Sequence, residues 1–188
     1  WDRWEKPDIL SRVSRVVQLA EIAPSMKVLD VGTGTGVLLP LLSGSVGDAG
    51  RVVAIDVSSG MLRVAWSKGI PPNVNLQQGS LEEFASALGL FDRVMCNAVF
   101  PHFPDSGAAL AKIHSLLKPG GRLVISHPIG REAVNRIHSE SDSVVDKDSV
   151  PNNESLRLLL EDAGFVEVQI IDEPEFHWAT AVKPGHAG

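Results

Sequence analysis

The stretch Val28-Leu-Asp-Val-Gly-Thr-Gly-Thr-Gly36 places three glycines within five positions, directly behind an apolar run. Glycine permits positive φ and allows a ligand to approach the backbone closely. A helix is expected to open from Val37, and its first turn would present unpaired N–H groups. A glycine loop that follows a strand and opens a helix is the context of a ligand-binding loop, although a tight turn alone would explain the same residues.

The spacing of the glycines separates the known classes of nucleotide loop. A dinucleotide fingerprint counted from Gly32 and Gly34 requires its third glycine at position 37, but it falls at Gly36. A Walker-type loop is excluded because no Gly-Lys-Ser/Thr follows. Asp56, at the end of the next apolar run, can accept hydrogen bonds from both hydroxyls of a ribose. Alternatively, Asp56 only caps a helix near Ser58. This alternative is disfavoured because Asp56 follows the glycine loop at the spacing expected of a ribose-binding carboxylate.

Strand-like and helix-like segments alternate along the chain, beginning with a helical apolar pattern from Ile9 to Ala20. The β-prone runs are Lys27–Val31, Arg51–Ile55, Val74–Gln77, Phe91–Asn97, Arg122–Ser126, Val166–Asp172 and Phe176–Val182. This alternation predicts an α/β fold with a doubly wound, mostly parallel seven-stranded sheet and helices on both faces. The last two runs leave no room for a helix between them, so they must pair antiparallel.

The organisation of the chain is predicted from its length and composition. With 188 residues, 44% of them apolar and 21% charged, the chain fits a single domain over residues 1–188. Residues 1–24 are expected to form an N-terminal helix or lid. Residues 118–121, Lys-Pro-Gly-Gly, are expected to end a helix and turn into the next strand. Residues 128–151, long and polar, are expected to form a lid between the fifth strand and the last helix.

Charge and cysteine content limit the possible partners. The net charge is −6 and no block of Lys and Arg occurs, which argues against nucleic acid as a partner. No run of about 18 apolar residues occurs, so no membrane partner is expected. The single cysteine, Cys96, excludes an internal disulfide and suits a cytoplasmic location. Because it lies within an apolar run, we interpret Cys96 as a core residue.

Four landmarks occur together and in order: Asp30-x-Gly32-x-Gly34-x-Gly36, then Asp56, then Phe91–Asn97, then Leu117-Lys-Pro-Gly-Gly121. With the antiparallel final pair of strands, this pattern resembles the Rossmann-like (class I) S-adenosylmethionine-dependent methyltransferases over nearly the whole chain. The resemblance implies S-adenosyl-L-methionine as cofactor, S-adenosyl-L-homocysteine as product, and in-line methyl transfer. It also implies that Asp30 and the glycine loop line the methionine and ribose side, and that Asp56 holds the ribose hydroxyls.

The resemblance assigns the remaining cofactor contacts residue by residue. The complete implied set is Asp30, Gly32, Thr33, Gly34, Gly36, Asp56, Val57, Met61, Gly79, Ser80, Leu81, Asn97 and Ala98. Val57 and Met61 would pack near the adenine. Ser80 stands where relatives often carry an acidic residue that contacts the adenine amino group, and a hydroxyl there makes a weaker contact. Asn97, Ala98 and Val99, which follow the fourth strand, would face the methionine end.

A catalytic base is required only for an acceptor that must lose a proton, because positioning alone can lower the barrier by ~7–11 kcal/mol. The candidates are His102 and His138, with His127 and Asp146 behind them. Many relatives carry paired histidines before a Phe-Pro-Asp turn. Here residues 100–103 read Phe-Pro-His-Phe and keep only the second histidine. No metal site is predicted, because Asp142, Asp146 and Asp148 look like a solvated acidic run.

A helical pattern in residues 130–138 predicts the acceptor site under the lid. Arg131, Asn135 and His138 fall on one stripe at i, i+4 and i+7, beside an apolar stripe of Val134 and Ile137. The segment follows the fifth strand, whose end borders the ligand crevice of an open parallel sheet. Arg131 and Asn135 would orient a polar or anionic acceptor and His138 would supply a base. Alternatively, the three form the solvated edge of a surface helix.

The nature of the acceptor follows from what the sequence lacks. The Asn-Pro-Pro-aromatic signature of enzymes that methylate exocyclic amines is missing, and so is a basic arm for RNA. A small-molecule acceptor is therefore expected, while the methylated atom stays open. Two other classes remain: a non-catalytic cofactor-binding accessory subunit, and a nicotinamide-dependent oxidoreductase. The glycine spacing and the final strand pair count against the oxidoreductase.

Overall fold

The computed structural model describes residues 7–85, 89–139 and 149–185. Its helices are α1 (Pro7–Leu19), α2 (Leu39–Val46), α3 (Ser59–Ser67), α4 (Ser106–Leu116), α5 (Arg131–Ser139) and α6 (Asn153–Asp162). Its strands are β1 (Lys27–Val31), β2 (Arg51–Asp56), β3 (Val74–Gln78), β4 (Phe91–Asn97), β5 (Leu117–His127), β6 (Val166–Glu173) and β7 (Phe176–Val182). A short 3₁₀ turn, Phe100–His102, follows β4.

The seven strands form one sheet in the order β3-β2-β1-β4-β5-β7-β6. The pairs from β3 to β5 are parallel, and β7 runs antiparallel to both β5 and β6. This is the predicted doubly wound sheet with its antiparallel final pair, and the expectation is confirmed. The chain winds outward from β1 to β3 and then crosses over to β4, so the carboxyl ends of β1 and β4 flank the switch point where open α/β sheets bind ligands.

Alternating side chains along the strands point to opposite faces of the sheet and contribute to two apolar layers. On one face, Val28 and Met95 pack with α1, α2 and α3; on the other, Leu29 and Cys96 pack with α4 and α6. The strands at the centre of the sheet are buried on both faces, as parallel strands covered by helices must be. Cys96 is fully buried, in agreement with its interpretation as a core residue.

Two local expectations are wrong. Helix α2 begins at Leu39 rather than at residue 37, because residues 33–38 form successive turns in which Gly36 N donates to Thr33 O and Leu39 N donates to Gly36 O. Residues 118–121 belong to β5 rather than to a turn before it. There Gly120 N donates to Lys183 O at 2.9 Å and Lys183 N donates to Gly121 O at 2.8 Å, so the end of β7 holds this segment in the sheet.

Candidate active site

A cavity of about 540 Å³ opens at the carboxyl ends of β1, β2 and β4. Its volume lies within the range of ~300–1,000 Å³ usual for small-molecule sites. All the predicted cofactor residues line it except Gly36. A Cβ on Gly36 would instead meet Leu39 Cδ1 at 3.0 Å and Ala65 Cβ at 3.2 Å. Gly36 is thus positioned to let α2 and α3 pack closely rather than to line the cavity.

The glycine loop is held open by its backbone conformation. Gly32, Gly34 and Gly36 all have positive φ, at 67°, 55° and 77°, a region that side-chain-bearing residues rarely adopt. A Cβ on Gly32 would collide with the side chain of Val99, so the loop lies directly against the segment after β4. A Cβ on Gly34 would meet no protein atom within 4 Å. Gly34 therefore borders open space, which suits the close passage of a ligand.

Asp56 ties the loop to the end of β2. Its Oδ2 accepts from Gly34 N and its Oδ1 accepts from Ser58 N, each at 2.8 Å. A carboxylate offers about four lone-pair sites, so both oxygens can still accept bonds from a ligand. The capping of α3 belongs to Ser58, whose Oγ accepts from Met61 N at 3.3 Å.

Asp30, at the end of β1, is the buried carboxyl of the cavity. It is 2% exposed, and its pKa is raised to about 7 by burial, an effect that Thr33 opposes and the charge of Asp56 reinforces. Its Oδ2 accepts no hydrogen bond from any described group. A buried polar atom without a partner is costly, so this oxygen suits a ligand that brings its own donor, such as an ammonium group.

The end of β4 is fixed by β5. Ser126 Oγ donates to Asn97 Oδ1 at 2.9 Å, and Ala98 N donates to Ser126 O at 2.7 Å. Ala98 has a φ of 55°, an unusual conformation for a residue with a side chain. Asn97 and Ala98 line the cavity, whereas Ser126 lies behind them and is 1% exposed.

Beyond Ala98 the cavity rim is apolar. Val99, Phe103 and Pro104 line it, and His102 adds an imidazole that is exposed to solvent. The ring of Phe103 packs edge-to-face on Phe100 with centroids 5.9 Å apart. Phe103 and Pro104 were not predicted as site residues, although they lie between β4 and Asp105, whose side chain caps α4 by accepting from Ala108 N at 2.9 Å, and that position could have indicated them.

The predicted acceptor residues of α5 lie elsewhere. Arg131 Nε donates to Asp172 Oδ2 at 3.0 Å, and Asn135 exchanges bonds of 3.2 and 2.8 Å with the main chain of Val150. Neither lines the cavity. Protein groups thus bind both side chains, and the predicted role of these two residues in acceptor binding stays a prediction. The side chain of His138 lies outside the described ones, so its role stays a prediction.

The other residues considered for chemistry are also accounted for. His127 is buried beside His177, with ring centroids 6.1 Å apart, and does not line the cavity. Asp142, Asp146 and Asp148 lie outside the described residues. Within the described ranges no group of three or more His, Cys, Asp or Glu could hold a metal ion. No described helix is long and apolar enough to cross a membrane.

Helix α1, predicted as an N-terminal helix or lid, packs on one face of the sheet and forms ion pairs near the turn between β6 and β7. Arg12 and Arg15 pair with Glu175 and Glu173 at the turn between β6 and β7, at 2.5 and 2.6 Å. The Arg15 guanidinium also lies 4.3 Å from the centroid of the Phe176 ring. The described part of α1 does not line the cavity.

The fold and cavity agree with comparisons to known proteins. Residues 1–170 match the family model described as "Methyltransferase domain". The ubiquinone/menaquinone biosynthesis C-methyltransferases UbiE of Shewanella halifaxensis and Shewanella frigidimarina are each 30% identical, over 81% of this chain and 71% of theirs. A SAM-dependent methyltransferase from Aquifex aeolicus is structurally similar, with a TM-score of 0.77, 26% identity, and coverage of 97% of this chain and 96% of that one.

The chain therefore belongs to the methyltransferase-domain family and is a class I S-adenosylmethionine-dependent methyltransferase. Its cofactor is S-adenosyl-L-methionine. The residues of the cavity fit this cofactor: Asp56 offers acceptors to ribose hydroxyls, Asp30 has an unsatisfied buried oxygen for an ammonium group, and Gly34 leaves room for close approach. The alternative prediction of a nicotinamide-dependent oxidoreductase is not supported, because the chain belongs to a methyltransferase family.

Proposed function

We propose that the protein transfers the methyl group to a small-molecule acceptor with an apolar body, and that the acceptor enters over Val99, Phe103 and Pro104. The observation that carries this proposal is the continuity of one cavity from the carboxylates of Asp30 and Asp56 to that apolar rim. An apolar wall with a few convergent polar groups is typical of small-molecule sites.

The residues of the cavity have distinct roles in this proposal. Asp56 holds the ribose hydroxyls, Asp30 faces the amino group, and the glycine loop supplies close backbone contacts. The bound cofactor supplies a methyl group on a sulfonium, which is already activated for displacement. The protein's task is then to align the acceptor and exclude water, which can lower the barrier by ~7–11 kcal/mol. Phe103 and Val99 remove water from the rim by apolar contact.

His102 is the proposed general base for an acceptor that must lose a proton. Among the described residues that line the cavity, His102 is the imidazole at the apolar rim. The other titratable side chains that line the cavity are the carboxylates Asp30, Asp56 and Glu82. The exposure of His102 leaves it accessible to an incoming acceptor. Such a base contributes about 10²–10⁴-fold where a proton is transferred.

The names of the relatives suggest where to search for the acceptor. The UbiE proteins are named as carbon methyltransferases of quinone biosynthesis, and an apolar rim with one imidazole suits a hydroxylated aromatic ring. We therefore place hydroxyaromatic and quinol-type molecules first among the candidate acceptors. A cytoplasmic location remains part of the same proposal, from the single buried cysteine.

The test combines cofactor binding with a screen for acceptors. Calorimetry should show binding of S-adenosyl-L-homocysteine and no response to NAD or NADP. Transfer of radiolabelled methyl to a small-molecule library should then identify an acceptor, with His102→Gln lowering turnover. Binding of S-adenosyl-L-homocysteine without turnover on any small molecule would contradict the proposal and favour a non-catalytic accessory subunit.

A further inference from the structure

Ser126 has a hydroxyl that is enclosed by the sheet. It lies on β5 opposite Asn97 of β4, in the register Asn97↔Ser126, and is 1% exposed. Its Oγ donates to Asn97 Oδ1 at 2.9 Å, and this hydroxyl forms no second hydrogen bond with the described residues. A buried hydroxyl that fails to donate is destabilising, so Ser126 requires Asn97 to turn its carbonyl oxygen inward.

This requirement settles which end of the Asn97 carboxamide faces the cavity. The oxygen and nitrogen of an amide are distinguished by their hydrogen-bond partners. With Oδ1 bound to Ser126, the Nδ2 group of Asn97 is the end left for the cavity. It donates no hydrogen bond to any described residue. Asn97 therefore directs two N–H donors toward the cavity, while its Oδ1 already accepts from Ser126.

The charges around the cavity indicate what these donors bind. Among the described residues, those that line the cavity include Asp30, Asp56 and Glu82 but no lysine or arginine. The amino-acid end of the cofactor is a zwitterion, which needs an acceptor for its ammonium and a donor for its carboxylate. Asp30 and Asn97 lie at the carboxyl ends of the adjacent strands β1 and β4, with Asp30 in register with Met95 on the same face as Asn97.

We propose that Ser126 is a positioning residue that fixes the Asn97 carboxamide with Nδ2 toward the cavity, where it binds the carboxylate of the cofactor's amino-acid end. Asp30 receives the ammonium beside it. The neutral amide thus performs the task for which a basic residue would otherwise be expected. This inference rests on the cofactor placement in the proposed function and does not depend on the acceptor.

The test compares two ligands that differ in the amino-acid part. S-adenosyl-L-homocysteine has the carboxylate and 5′-methylthioadenosine lacks it. In Ser126→Ala, the calorimetric Kd for S-adenosyl-L-homocysteine should rise about tenfold, while the Kd for 5′-methylthioadenosine stays within about twofold of the parent value. Ser126→Thr, which keeps the hydroxyl, should restore tight binding. Asn97→Asp, which replaces the donors by a second anion, should weaken S-adenosyl-L-homocysteine more than Ser126→Ala does.

A matched control removes another buried hydroxyl from the same sheet. Thr180 on β7 is 1% exposed and its Oγ1 donates to Leu123 O at 2.7 Å, away from the cavity. Thr180→Val should lower the unfolding temperature as Ser126→Ala does, yet leave both ligands bound as in the parent. Equal losses for the two ligands in Ser126→Ala would show a merely structural role and overturn the proposal.

An independent measurement uses the unaltered protein and does not require a variant to fold. The Nδ2 proton and nitrogen signals of Asn97 should shift when S-adenosyl-L-homocysteine is added, and shift little with 5′-methylthioadenosine. Identical responses to the two ligands would contradict carboxylate binding by Asn97. Failure of the unaltered protein to bind S-adenosyl-L-homocysteine would contradict the cofactor placement itself, and this inference with it.

Discussion

The backbone amide of Gly34 donates to Oδ2 of Asp56 at 2.8 Å. One hydrogen bond thereby joins the glycine loop after β1 to the carboxylate at the end of β2. The same carboxylate accepts from Ser58 N through Oδ1, so Asp56 sets the shape of the loop as well as offering acceptors to a ribose. Replacing Asp56 alters both functions at once, and its variants must be designed accordingly.

Asp56→Ala should weaken S-adenosyl-L-homocysteine binding by about 1.5–3 kcal/mol, the usual contribution of hydrogen bonds to a charged group. Calorimetry measures the change. Asp92→Ala is the matched control, because Asp92 also accepts from a backbone amide, Lys27 N at 2.8 Å, at the opposite end of the sheet. The control should lose stability and keep its affinity. Unchanged affinity in folded Asp56→Ala would contradict the ribose assignment.

Gly34→Val should abolish cofactor binding, since the branched side chain would occupy open space in the cavity. Gly69→Val provides the control for backbone strain. Gly69 also has a positive φ, 83°, and open space where a Cβ would lie, but it does not line the cavity. Both variants should unfold at lower temperature. Only Gly34→Val should lose S-adenosyl-L-homocysteine, and equal binding by the two variants would refute the loop as the site.

The stability of the ligand-free protein should depend on Asp30. An aspartate side chain ordinarily has a pKa of 3.8, but the pKa of Asp30 in the folded protein is about 7, because burial disfavours the charged carboxylate. Between these values the folded chain keeps a proton that the unfolded chain has lost, so the free energy of unfolding falls as pH rises from about 4 to 7. The stabilising contribution of protonated Asp30 to the free energy of unfolding is fully present below about pH 4 and is lost above about pH 7.

Asp30→Asn should remove this slope. Relative to the parent, the variant should gain stability on the order of a few kcal/mol between about pH 4 and pH 8, as measured by urea unfolding. Partial burial acts to raise the pKa of Asp92, but its bonds to Lys118 and Lys27 lower that pKa overall. Asp92 therefore contributes the opposite slope, and it does so equally in both proteins. Parallel pH profiles for parent and variant would argue against a buried, protonated Asp30.

Cofactor binding should release the Asp30 proton. An ammonium group next to the carboxyl favours its ionised form, so S-adenosyl-L-homocysteine should bind more tightly as pH rises toward about 7. Calorimetry near pH 6 in two buffers of different ionisation enthalpy measures the proton count directly. The parent should release a fraction of a proton, and Asp30→Asn should release none. The same release from both proteins would assign the proton to another group.

Asn135→Ala should act on stability rather than on the acceptor. The side chain holds both the N–H and the C=O of Val150, a buried residue, and losing both bonds should cost about 1–3 kcal/mol. Urea unfolding measures the loss. Once an acceptor is known, kcat/KM decides between this role and the one expected from the sequence, which requires a drop of at least about tenfold. Arg131→Ala, which breaks the pair with Asp172, provides the same comparison.

The sequence alone predicted the sheet, and the structure places most of the predicted cofactor residues in one cavity. Short apolar runs that alternate with helical segments predicted a doubly wound sheet, which the structure has. The two final runs are too close in sequence for a helix between them, so they could pair only antiparallel. Gly34 and Asp56 were recognisable because backbone conformation and hydrogen bonding favour those residue types next to a strand end, whereas Asp30 was assigned through the family resemblance. Local chemistry and spacing carry such information.

The tertiary structure decided what depends on contacts between distant segments. A helical wheel placed Arg131 and Asn135 on one stripe, but it could not reveal that Asp172 and Val150 would bind them. Local sequence likewise could not reveal that Gly120 and Gly121 would exchange hydrogen bonds with Lys183. The link between Ser126 and Asn97 is of the same kind. Twenty-nine residues separate them along the chain, and only the parallel register of β4 with β5 brings the hydroxyl against the amide.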